Sequence, residues 1–229
     1  MVGLLGQIIP IGLLLALGPT RIMSTILLLT SAHPLRNALA FLGGVASLYL
    51  AVGSITLMFF GRTLSDLSTG TIIIDAILVV AGIFLLVLAA RSFFIAPDPD
   101  APPPGWMQRV TSLSAGQAFL FGVILACSIR YLLIFLSAVA LIYETGVSPS
   151  QGAIALLVLV TLTLLCQIIL VSLYAANAQR ARVQLSALMD WLNQHNRVIM
   201  TALFLVLGII FLVKGLNGLT SYSKAAEIP

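Results

Sequence analysis

Charge is what this sequence has least of. Only 8% of its 229 residues are charged, 60% are hydrophobic, and the mean hydropathy is +1.15. A soluble domain carries about 25% charged residues, and one this apolar would lack the polar side chains to cover its surface. The same figures exclude a disordered chain. There are two cysteines, Cys127 and Cys166, both inside apolar runs. That is too few for a disulfide scaffold, and both read as small packing residues. No basic run exists to hold nucleic acid, because the net charge of +4 comes from 11 Lys and Arg scattered against 7 Asp and Glu. His33 and His195 stand alone, without metal-ligand spacing. No Ser/His/Asp set, phosphate-cradling glycine loop or carboxylate pair is present. The expectation is a non-enzymatic integral membrane protein with no metal and no cofactor.

A helical span needs about 20 mainly apolar residues. Six stretches qualify, at 4–29, 37–60, 71–90, 115–142, 153–175 and 198–217. The fold expected is all-α, a polytopic membrane protein with six transmembrane helices. The first apolar stretch has no Lys or Arg before it and outruns a signal peptide, so it reads as a retained helix. A Pro-rich linker, residues 96–114, divides a first half (1–95) from a second (115–229) and favours extended polyproline geometry. In the linker before the last span, Leu185, Leu188, Met189 and Leu192 recur at helical spacing, with Arg180 and Arg182 at one end and Trp191 on the flank. That pattern predicts an interfacial helix near 180–195. The linkers after spans one, three and five hold Arg36, Arg91, Arg109, Arg180, Arg182 and Arg197, against Arg62, Lys214 and Lys224 opposite. This balance predicts both termini outside and the odd-numbered linkers in the cytoplasm of a multi-pass protein of the cytoplasmic membrane.

The two halves repeat. Asp75–Leu88 aligned with Thr201–Lys214 gives six matches, among them Gly82 with Gly208. A second alignment sets Arg21 against Arg130, and Gly18 against Cys127. Three spans per repeat is an odd number, so the halves must run in opposite senses. The expectation is two inverted three-helix repeats, an architecture common in secondary transporters. Gly43, Ser47 and Ala51 form a small-residue stripe expected to pack helix two closely.

Several segments in order carry a family likeness: Leu15-Ala16-Leu17-Gly18-Pro19, Asn37-Ala38-Leu39-Ala40-Phe41-Leu42-Gly43-Gly44, Gly146-Val147-Ser148-Pro149, Trp191-Leu192-Asn193-Gln194-His195-Asn196, Leu205-Val206-Leu207-Gly208 and Lys214-Gly215-Leu216-Asn217-Gly218-Leu219. Together they resemble the glycopeptidolipid-addressing (GAP) family, with its sulfolipid-addressing relatives, in the lysine-exporter superfamily. The resemblance implies a six-helix membrane fold and a role in export or addressing of lipids or small solutes. The chain departs from the family pattern at Arg21, where a second proline is usual. It departs again at Ser128-Ile129-Arg130, where Asn-Pro-Lys is usual.

Arg130 lies near the middle of the fourth span. An arginine there costs about 2.5–3.5 kcal/mol on insertion scales and should face protein or a wet cavity. Arg21 follows Gly18-Pro19, where the proline breaks the first helix and leaves a fresh N-terminus that favours anions. Both arginines, with Pro19, Ser128 and Gln167 as polar or backbone lining, are the expected substrate-binding residues. Asp75 is the expected coupling group or charge partner. A dithiol carrier is a weaker reading, since Cys127 has Gly18 rather than a thiol opposite it in the first helix. The expected partners are membrane lipids, a small-molecule or lipid substrate, and either a second copy or a larger membrane complex. The expected function is transport or export of an anionic or amphipathic molecule. The alternative is a non-transporting subunit of a larger complex.

Overall fold

The computed structural model describes residues 2–63, 67–94 and 105–226, with side chains described at 6–58, 75–94, 107, 109–143 and 145–220. The Pro-rich stretch 96–104 lies outside the described residues. The described chain is helical throughout: α1 (Val2–Ala16), α2 (Pro19–Leu29), α3 (Pro34–Thr63), α4 (Leu67–Phe94), α5 (Gly105–Val110), α6 (Ala115–Ala126), α7 (Ile129–Glu144), α8 (Pro149–Ala176) and α9 (Ala178–Ala226).

Among the described residues, three helices carry a span long and apolar enough to cross a bilayer: Pro34–Met58, Asp75–Phe94 and Ala178–Thr220. Three bent pairs make up the rest. Gly6–Ala16 and Pro19–Leu29 meet at 54°, Ala115–Ala126 and Ile129–Tyr143 at 69°, and Pro149–Thr163 and Leu165–Ala176 at 57°. The six stretches expected from hydropathy fall on these elements. The first break has the proline that explains it. The bend in α8 has no Pro or Gly beside it, but Thr161 and Thr163 donate to the carbonyls of Leu157 and Leu159 at 2.8 Å. Such back-bonding competes with the helix ladder and bends it.

Two close crossings hold the bundle. In one, α3 meets α6 so tightly that a Cβ on Gly44 would strike the Phe119 carbonyl, and a Cβ on Gly122 would strike that of Phe41. The contact therefore uses Gly44, not the stripe expected from Gly43, Ser47 and Ala51, which are all exposed. In the other, α4 and α9 run antiparallel, and a Cβ on Gly82 would lie 3.0 Å from the Gly208 oxygen. Arg197 then grips the end of α4, donating from Nε to the Ser92 carbonyl at 2.9 Å and from Nη2 to that of Phe93. These are last-turn carbonyls with no partner inside the helix. Elsewhere α1 packs on α7 and α8, while α2 touches α3, α8 and α9, and α7 touches α3 and α4.

The expected interfacial helix is not a separate element. Residues 180–195 form the first part of α9, which continues without interruption into the sixth span. No Gly or Pro stands between Ala178 and Leu207 to stop it. The apolar stripe is also turned toward protein. Leu185 and Leu192 are buried, Leu188 and Met189 are half-buried, and Leu185 and Met189 share a cleft with Ile26, Leu29 and Tyr174. Trp191, on the flank, is half exposed.

Candidate functional site

The two broken spans build the site. The first helix stops at Ala16 and restarts at Pro19, whose missing N–H suits the first position of a helix. Gly18 is the N-cap of α2, and Ser128 is the N-cap of α7. Gly18 has no side chain to cap with and that of Ser128 makes no cap hydrogen bond, so both N-termini keep free positive ends. Counting from the caps, Arg21 is the third helical residue of α2 and matches Tyr131, while Arg130 matches Thr20. The structural match is therefore one residue off the sequence alignment, because both breaks are set by backbone geometry and not by the basic residues.

Arg21 is fully buried. Its side chain turns back across the break, and Nη2 donates to the Leu15 carbonyl at 3.0 Å, near the end of α1. Its guanidinium carbon lies 4.4 Å from the Tyr131 ring centroid and 5.7 Å from that of Tyr49. Tyr49 is itself stacked on Phe135, with centroids 4.3 Å apart and planes at 17°. Nε and Nη1 of Arg21 have no hydrogen-bond partner, and neither do the buried hydroxyls of Tyr49 and Tyr131. Ring contacts offset part of the burial cost, by about 0.5–2 kcal/mol each. They do not satisfy N–H groups, and an unmet buried donor costs about 1–3 kcal/mol or more when charged. The site is a cluster of buried polar groups without hydrogen-bond partners, centred on a guanidinium with two donors unmet.

Arg130 is half-buried, and its guanidinium carbon lies 5.1 Å from the same Tyr131 ring. The two guanidinium carbons are thus at most 9.5 Å apart, the two ring distances laid end to end. Pro19 is buried at the start of α2, and Ser128 is half-buried at the start of α7. Gln167 is fully buried on α8, with neither amide atom hydrogen-bonded. A Cβ on Gly12 would meet Leu162, and further along Ile26 and Tyr174 line one cleft. Gln167 falls between those levels, at about the depth of the first break.

Asp75 is elsewhere. It is 2% exposed and lines a cleft of about 380 Å³ with Gln7, Leu78, Thr145, Lys214, Asn217 and Gly218. These residues lie at the end of the bundle where α1 begins and α9 ends. Lys214 Nζ donates to Gln7 Oε1 at 3.1 Å, and the Asp75 carboxyl sits where a side chain on Gly218 would go. Of the expected residues the structure brings Arg21, Arg130, Pro19 and Ser128 to one place, with Gln167 at their depth, and sets Asp75 apart with Lys214. Reading the sequence missed Tyr49 and Tyr131. The signal available was a phenol beside Arg130 and another in the middle of an apolar span, each needing a hydroxyl partner. Cys127 is exposed and Cys166 half-buried, both as free thiols. Among the described residues no group of three or more His, Cys, Asp or Glu lies together.

A family model described as Sap, sulfolipid-1-addressing protein, matches residues 8–217 of the chain. No curated protein and no solved structure matches it.

Proposed function

The chain belongs to the sulfolipid-1-addressing protein family, and from that premise we propose that it is a membrane transporter or export accessory for an anionic lipid or amphipathic small molecule. The observation that carries the reading is Arg21, fully buried with two of its three guanidinium nitrogens lacking a partner. A planar, permanently charged fork suits an oxyanion such as a carboxylate, phosphate or sulfate ester. Two helix N-termini and Arg130 add positive potential at the same place. Pro19 and Ser128 supply the breaks, and Gln167 supplies a neutral polar wall.

The wider family reading, with glycopeptidolipid-addressing relatives in the lysine-exporter superfamily, fits the same picture. So does a division into two inverted repeats, residues 1–95 and 115–229. Gly82 and Gly208, matched in the alignment, meet at the α4–α9 crossing. The first half of span one also packs on span five, as the first half of span four packs on span two. Asp75 takes the coupling role from the cleft it lines with Lys214. Both termini face outward across the cytoplasmic membrane.

A scaffold reading draws on the Leu15 contact, which anchors one nitrogen of Arg21. The test is retention of lipid by purified protein, measured by native mass spectrometry against a sulfated glycolipid and a neutral glycolipid. Retention of the sulfated lipid should fall at least tenfold in Arg21→Gln and partly in Arg21→Lys, since removing a charged hydrogen bond is worth about 1.5–3 kcal/mol. Unchanged retention in Arg21→Gln, with thermal stability preserved, rejects the transporter reading in favour of the scaffold.

A further inference from the structure

The two breaks are covered differently. At the first, Gly18, Pro19 and Arg21 are all buried. At the second, Cys127 is exposed, Ser128 and Arg130 are half-buried, and Ile124 and Ile129 are 68% and 60% exposed. Irregular backbone and a charged side chain within a span are tolerated only where protein, water or a ligand covers them. The second break therefore needs a covering group. The exposed Ile124 and Ile129 just before Arg130 suit acyl chains, and its charge and the α7 N-terminus suit an anion. A second copy of this chain is a poor cover. Of its acidic residues only Asp75 falls within the six apolar stretches, and that carboxylate is buried, while the exposed Asp190 lies in the polar first part of α9.

Tyr131 stands between the outer and inner arginines. Its ring touches both guanidinium groups, it is 1% exposed, and its hydroxyl has no hydrogen-bond partner. A Cβ on Gly18 would lie 3.1 Å from that hydroxyl, so the phenol closes against the first break. We propose that the break in the fourth span is a lateral entrance from the bilayer, where the headgroup of an anionic lipid docks on Arg130, with Tyr131 as the partition before Arg21. This rests on the reading of Arg21 only for what lies behind the partition. Docking on Arg130 stands or falls separately.

The test places a fluorophore on Cys127 in full-length Cys166→Ser protein, reconstituted in phosphatidylcholine vesicles. Brominated phosphatidylglycerol and brominated phosphatidylcholine are compared as quenchers at equal mole fraction. The expected result is about fivefold enrichment of the anionic lipid at Cys127, the scale of one basic residue acting on an anionic headgroup. Arg130→Gln should remove that preference and Arg130→Lys should keep part of it, while inorganic phosphate should not compete. Equal quenching by both lipids overturns the proposal. So does competition by phosphate, which would make the ligand a free anion. Efficient Cys127–Cys127 cross-linking between chains also overturns it, because the cover would then be a second copy. Enrichment at Cys127 together with normal lipid retention in Arg21→Gln would reject the inner arginine alone. Loss of retention in Arg21→Gln without enrichment at Cys127 would reject the entrance alone.

Discussion

Arg21 and Tyr131 hold the same position in two different helices, the third residue after a break, and their side chains meet with the guanidinium carbon 4.4 Å from the ring centroid. Each break thus delivers one half of a cation–π pair to the interior of the bundle. The pair costs the protein four unpartnered groups there: two nitrogens of Arg21 and the hydroxyls of Tyr49 and Tyr131. An apolar core would not carry that cost without use.

Gly18→Ala should destabilise the protein by about 1–3 kcal/mol, the usual range for overpacking. The added methyl would lie 3.1 Å from the Tyr131 oxygen. Tyr131→Phe removes that oxygen and should recover part of the loss. A double-mutant cycle on unfolding in detergent reads the coupling, and strict additivity would show that the two residues do not meet.

Neighbouring glycines on α3 should behave in opposite ways. Gly44→Ala drives a methyl into the Phe119 carbonyl, a backbone atom that cannot rotate away. It should cost about 1–3 kcal/mol or prevent folding. Gly43→Ala, with only ordinary contact at 3.8 Å from Phe119, should change stability by less than about 0.5 kcal/mol. Thermal denaturation of both variants checks the register of the α3–α6 contact.

Leu192→Asp should loosen the first part of α9. Leu192 is 3% exposed, and an unpaired carboxylate on that face costs several kcal/mol or forces the helix off its partners. Amide exchange over residues 180–195 should rise by orders of magnitude, while Val183→Asp, at a site 71% exposed, should leave it unchanged. Equal exchange in both variants would mean that the stripe is not packed.

Single cysteines at Arg36, Arg109 and Arg182, on a background lacking Cys127 and Cys166, should resist an impermeant maleimide in intact cells and react after lysis. All three side chains are exposed, so burial would not explain protection. Reaction in intact cells would reverse the orientation taken from the basic residues.

Hydropathy alone determined the six spans, because twenty apolar residues in a row have no other stable place. The Gly18-Pro19 pair determined the first break, whereas Pro10 by itself leaves α1 unbroken. The burial demand on Arg21 was also legible, since an arginine in a span must find cover wherever the chain folds. Tertiary structure decided the rest. The break at Cys127-Ser128 has no proline or glycine to announce it, and the placing of α7, with Tyr131 against Gly18 and Arg21, accompanies it. The α3 register shifted by one residue from the expected stripe because composition cannot tell which of two adjacent glycines faces a neighbour. Asp75 went to Lys214's cleft for a related reason. Charge in a sequence states that a partner is needed, and only the packing of distant helices states which one is within reach.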